Sequence, residues 1–232
     1  MIVGKGLVAS LFTNVDREDI IFFASGVSNS LEVRMEEFMR EGNLVRETIA
    51  NHPDKIMVYF STCSIYDSSK VDSPYVRHKL KMENIVSNNC SRYLILRLSN
   101  VVGKGGNPNL LMNYLVRSVM NGEVINVHTK ATRNLIDADD VRAIVLSLIE
   151  TQNINKIINL AYLENYTIVE ILEILESFFK IRLNLNLVKA GASYPISTSS
   201  EVENYYIQNK LLDKENYLRT ILSKYYSICD VD

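Results

Sequence analysis

Ile56-Met57-Val58-Tyr59-Phe60-Ser61-Thr62-Cys63-Ser64-Ile65-Tyr66 is an apolar run that ends among small hydroxyl-bearing residues, and Tyr75-Val76-Arg77-His78-Lys79 begins thirteen positions after Thr62. Ile56 to Phe60 has the length and side-chain content of a buried strand, and the segment around Tyr75 reads as a helix. In a helix, Tyr75 and Lys79 share one face. There an ammonium stabilises phenolate and draws a tyrosine down from its usual pKa of about 10. A phenol tuned in this way exchanges protons near neutrality.

Outward from this unit the chain alternates strand and helix. Met1-Ile2-Val3 is a short strand leading into Gly4-Lys5-Gly6-Leu7-Val8-Ala9, with a helical stretch expected through Phe12. Ile20 to Ala24 is the second strand. Met35 to Asn51 reads as a long amphipathic helix with Met35, Phe38, Met39, Val45 and Ile49 on its apolar side. Tyr93 to Leu98 is a further strand, and Asn107-Pro108 is expected to open a helix that Gly122 closes. Asp139-Asp140-Val141 starts another helix, to about Glu150. Ile157 to Leu160 is a late strand, followed by a helix whose Thr167-Ile168-Val169-Glu170 forms a capping box and whose Ile171, Leu172, Leu175 and Phe178 face a core. Leu183 to Val188 is a candidate strand, and Glu201 to Tyr226 reads as one or two short helices.

This repetition predicts an α/β fold: a Rossmann-like, doubly wound parallel sheet covered on both sides. The division expected is a Rossmann-like dinucleotide-binding core over 1–150. Residues 151–232 supply the last core strand and helix plus a small C-terminal substrate lobe, the whole being one continuous domain in the alternative.

Gly4-x-Gly6-x-x-Ala9 fits the dinucleotide fingerprint G-x-G-x-x-G/A, and equally fits a plain tight strand-to-helix turn. Thirteen residues separate Gly6 from Ile20, too few for a helix, a second strand, another helix and a third strand. The nucleotide-binding half is therefore shortened. An acidic residue for the adenosine ribose has no place, so NAD and NADP are not distinguished.

Composition narrows the function classes. A net charge of -2 gives no basic surplus, so nucleic acid is not an implied partner. Apolar runs such as Ile20-Ile21-Phe22-Phe23-Ala24 fall far short of a membrane span, and no basic segment leads into a signal-like stretch, so a cytoplasmic location is expected. Cys63, Cys90 and Cys229 lack CxxC pairing, and His52, His78 and His128 are scattered. No disulfide framework and no metal site are expected.

Six motifs in order resemble the NAD-dependent epimerase/dehydratase family, the extended branch of the short-chain dehydrogenase/reductase superfamily, over about residues 1 to 180. They are the Gly4–Ala9 turn; Phe22-Phe23-Ala24-Ser25-Gly26; Ser61-Thr62-Cys63-Ser64-Ile65-Tyr66; Tyr75-x-x-x-Lys79-x-x-x-Glu83; Arg97-Leu98-Ser99-Asn100-Val101-Val102-Gly103; and Thr132-Arg133-Asn134-Leu135-Ile136-Asp137-Ala138-Asp139-Asp140-Val141.

The resemblance implies an NAD- or NADP-dependent enzyme acting on a nucleotide-sugar. Thr62 would hydrogen bond the reacting oxygen, Tyr75 would exchange its proton, and Lys79 would bind the nicotinamide ribose and acidify Tyr75. Gly4, Lys5, Gly6, Leu7 and Val8 would face the pyrophosphate. Ala24, Ser25 and Gly26 would line the cofactor, and Ser61 would lie beside the nicotinamide. Asn100 and Arg133 would hold the substrate, the latter through its diphosphate. Relatives also imply a homodimer through the Met35 and Tyr75 helices. Family 4,6-dehydratases carry Asp-Glu after the active-site threonine, where this chain has Cys63-Ser64, so dehydration is disfavoured against epimerisation or reduction. The alternative is a catalytically degenerate member that serves as a cofactor-sensing or interaction module.

Overall fold

The computed structural model describes residues 1–15 and 17–227; Cys229 lies outside the described residues. The chain runs β1 (Ile2–Val3), α1 (Leu7–Ser10), β2 (Ile20–Phe23), α2 (Met35–Asn51) and β3 (Ile56–Thr62). Two single-turn 3-10 segments, Cys63–Tyr66 and Ser68–Lys70, lead into α3 (Pro74–Asn89), β4 (Tyr93–Leu98) and β5 (Asn100–Val102). Then come α4 (Leu111–Met120), β6 (Val124–His128), β7 (Thr132–Arg133), β8 (Leu135–Asp137) and α5 (Ala138–Glu150). The last elements are β9 (Lys156–Leu160), β10 (Tyr166–Thr167), α6 (Ile168–Phe179), β11 (Asn184–Val188), α7 (Ser200–Gln208) and α8 (Lys214–Tyr225).

The central sheet is wholly parallel, in the order β1-β2-β3-β4-β9. Alternation along its strands explains the two layers around it, because successive side chains point to opposite faces. Ile20, Phe22, Ile56, Val58, Leu94 and Leu96 pack with α5, whose Val141, Ile144, Val145 and Leu148 are buried in the same core. Ile21, Phe23, Met57, Tyr59 and Ile95 pack on the other face against Val45 of α2 and Met82 and Val86 of α3. The fold is thus the Rossmann-like α/β architecture expected, with β1 as an edge strand. Beside the sheet lie three two-stranded pairs: β6 with β11, β5 with β8, and β7 with β10.

Three local expectations are corrected. Met35 and Met39 are 67% and 59% exposed; the buried stripe of α2 runs instead through Phe38, Glu41, Val45 and Thr48. Its polar members are accommodated by hydrogen bonds, Thr48 to its own helix and Glu41 to the site described below. Asn107-Pro108 forms a turn, with Asn107 Oδ1 accepting from Asn109 N (2.9 Å), and α4 starts only at Leu111. Finally, α1 is a single turn, since Leu11 and Phe12 donate to carbonyls three residues back.

Candidate active site

A cleft of about 890 Å³ opens at the C-terminal ends of the first four strands, where loops of a parallel sheet converge. Its wall draws Lys5 to Val8 from the turn after β1, Ala24 to Leu31 from the loop after β2, and Ser61 to Ser64 from the end of β3. Tyr75 and Lys79 come from α3, Asn100 from β5 and Arg133 from β7. Every expected site residue lines it except Gly4. That residue has φ +134°, and a Cβ there would sit 2.5 Å from the Ala24 carbonyl oxygen. Gly4 therefore serves the close approach of β1 to β2.

Thr62 and Tyr75 meet at the cleft floor. Thr62 Oγ1 accepts from Ser64 N (3.0 Å), capping the turn after β3, and Thr62 and Tyr75 line the cleft side by side with Ser61. The phenol is pushed up to about 12 by burial, eased by the neighbouring Thr62 hydroxyl and raised further by the Glu41 charge. This corrects the expected acidification by Lys79, and the physical reason is where the ammonium goes. Lys79 Nζ donates to Glu41 Oε1 (3.0 Å), Tyr59 OH (3.1 Å) and the Phe60 carbonyl (3.3 Å). Glu41 is wholly buried, yet the Lys79 charge and bonds from His78, Tyr59 and Val27 outweigh desolvation and hold its carboxyl at about 2. The lysine charge is met before it reaches Tyr75.

Around this floor, Ser61 Oγ donates to Glu83 Oε1 (2.5 Å), and Glu83 takes a two-pronged ion pair from Arg97 (2.6 and 3.0 Å). The third residue of the Tyr75-x-x-x-Lys79-x-x-x-Glu83 series thus ties α3 to β4. Cys63 is packed and its thiol pushed up to about 12, chiefly by burial. Asn100 donates its amide to the Asn134 carbonyl (2.8 Å), and Arg133 spends one N–H on the Thr132 carbonyl (2.7 Å). The nearby carboxylates Asp137 and Asp139 are held by Lys224 (2.9 and 2.5 Å) rather than by Arg133. Sequence reasoning missed Lys70 and Tyr194 on the cleft wall and Glu41 beneath it.

A family model for the NAD dependent epimerase/dehydratase family matches residues 10–161. This chain belongs to that family. Among solved structures, RMD from Pseudomonas aeruginosa, complexed with NADPH, aligns with a TM-score of 0.68 at 17% identity over 95% of this chain and 85% of its own. UDP-glucuronic acid 4-epimerase from Bacillus cereus, with UDP-glucuronic acid and NAD, gives 0.65 at 17% over 94% and 79%. dTDP-glucose 4,6-dehydratase from Bacillus anthracis, with NAD, gives 0.67 at 14% over 89% and 71%. At these identities the likeness is one of fold. No curated protein matches the sequence.

For an epimerase/dehydratase-family chain, the test is whether these residues fit a nicotinamide dinucleotide. Nothing lies within 4 Å of where a Cβ at Gly6 would stand, so the backbone is open to the cleft there. Thr62, Tyr75 and Lys79 line the same cavity. These groups fit the nicotinamide half. The adenosine half has no strand beyond β1 among the described residues.

Proposed function

We propose that the chain is an NAD(P)-dependent enzyme that acts on a nucleotide-sugar by epimerisation or ketone reduction, in a cytoplasmic setting. When bound in this cleft, the nicotinamide supplies or accepts the hydride. Tyr75 handles the proton: reduction of a ketone needs a proton on oxygen as hydride arrives on carbon, and the phenol is assigned to give it, with Thr62 assigned to hydrogen bond the same oxygen. A phenol pushed up to about 12 is protonated at neutral pH, so at rest it is a donor. Asn100 and Arg133 are assigned to the substrate; the planar guanidinium suits a diphosphate. Residues 151–232 add Tyr194 and Ile196 to the substrate side of the cleft. The assembly proposed is a homodimer through α2 and α3, on which Met35, Met39 and Leu80 are exposed; sedimentation at micromolar concentration should give twice the chain mass.

The single observation that carries this reading is that Thr62, Tyr75 and Lys79 line one cleft together with the Gly6 turn. Its test is paired. NADH or NADPH should raise the melting temperature of the native chain and of Tyr75→Phe alike, while Tyr75→Phe abolishes turnover of nucleotide-sugar substrates. A variant that retains turnover removes the acid/base role.

A second reading, a cofactor-sensing or interaction module without turnover, is favoured by one observation: the Lys79 charge is spent on Glu41. Cofactor binding without turnover by the native chain would select it.

A further inference from the structure

Glu41 is buried without any solvent exposure and takes no part in the reaction just described. Its carboxylate receives four donors. Oε1 accepts from Tyr59 OH (2.6 Å) and Lys79 Nζ (3.0 Å); Oε2 accepts from Val27 N (2.7 Å) and from His78 Nε2 (2.9 Å) in its Nε2–H tautomer. These donors sit on β3, on α3 and on the loop after β2, so one side chain of α2 fastens three segments around the cleft floor. Lys79 is saturated in return, with three acceptors for three N–H groups. The backbone is shaped for the pair as well: a Cβ on Gly26 would collide with Lys79 Nζ and lie 2.8 Å from Glu41 Oε1. An interior charge costs several kcal/mol unless it is paired and hydrogen bonded, and here every oxygen is satisfied.

We propose that Glu41 is a positioning residue for Lys79, holding the ammonium on the cleft floor and cancelling its charge so that Tyr75 rests as a proton donor. The inference rests on the acid/base reading of Tyr75. An acceptor arriving from the cleft has to replace the longest of the lysine contacts, the Phe60 carbonyl, which leaves the tether to Glu41 and Tyr59 in place. The titratable groups packed around the phenol and the pair are Glu41 on α2, Tyr59 on β3, and His78 and Glu83 on α3. Arg40, Lys70 and Arg133 line the same cleft. Of these, Glu41 is the one whose charge acts on the phenol.

The test is an alkaline absorbance titration in which the Tyr75 signal is the difference between each protein and its Tyr75→Phe counterpart. Glu41→Gln should lower the pH of Tyr75 ionisation by one unit or more, a gain in acidity of about tenfold. Glu83→Gln, which breaks the other carboxylate ion pair of the same helix, should leave it in place. An unmoved titration in folded Glu41→Gln, or an equal shift in Glu83→Gln, overturns the proposal. Should Glu41→Gln fail to fold, acetylation of the native chain decides: acetic anhydride should spare Lys79 under conditions that modify the exposed Lys81 fully. Equal modification overturns the tether. A chain with the expected titration shift that binds neither NADH nor NADPH counts against the enzymatic function and for the Glu41–Lys79 coupling.

Discussion

Glu41 carries its charge into the core at a position flanked by exposed Met39 and buried Val45, and its ionisation makes the fold sensitive to acid. Its carboxyl is held at about 2 against an ordinary 4.5. The stabilisation is therefore complete above pH 4.5 and is lost as pH falls towards 2. Thermal melts followed by circular dichroism should show a stability loss across that window, and Glu41→Gln should lose the part of it that Glu41 contributes. This residue also marks the limit of what the chain shows by itself. Thr62, Tyr75 and Lys79 are legible because they belong to one strand-helix unit, where local spacing fixes which side chains meet. Glu41 meets partners 18, 37 and 38 positions away, and a glutamate on a charged helix reads as a solvated face until α2 docks beside α3. The expected acidification of Tyr75 failed for the same reason.

At the scale of elements, α3 presents Tyr75, Lys79 and Glu83 at four-residue intervals: Tyr75 lines the cleft with Thr62, Lys79 pairs with Glu41, and Glu83 pairs with Arg97. That regularity is why the helix announced itself in the sequence. The bounds of α2 were equally legible from its length and amphipathic spacing, although its outer methionines were assigned inward. In α6, Thr167 Oγ1 accepts from Glu170 N (3.1 Å) while Glu170 Oε2 accepts from Thr167 N (2.6 Å), the reciprocal pair that the local motif predicts. Thr167→Ala should cost about 1 kcal/mol, read as a lower denaturant midpoint with an unchanged slope. Where register depends on distant chain, legibility ends. The strand at 184–188 is legible from its local pattern, whereas its pairing with β6, sixty residues earlier in register, is not. The asparagine-proline start of α4 failed because the Asn107 side chain closes a turn instead of capping a helix.

For the whole molecule, the consequence of the short connection between β1 and β2 is a sheet that stops at β1. The sequence showed this by arithmetic alone, since the elements of an adenosine half do not fit between Gly6 and Ile20. On the proposed function, binding would rest on the nicotinamide end and adenosine should add little: reduced nicotinamide mononucleotide is expected to bind within about tenfold of NADH, a difference under about 1.4 kcal/mol, when both are titrated calorimetrically. The most direct test of the account is a titration of the purified chain with NADH and NADPH, followed by the fluorescence of the reduced nicotinamide. Saturable binding of at least one of them is expected, with a dissociation constant below about 1 mM, kept within a few-fold by Tyr75→Phe. No saturation by either at millimolar concentration would contradict it.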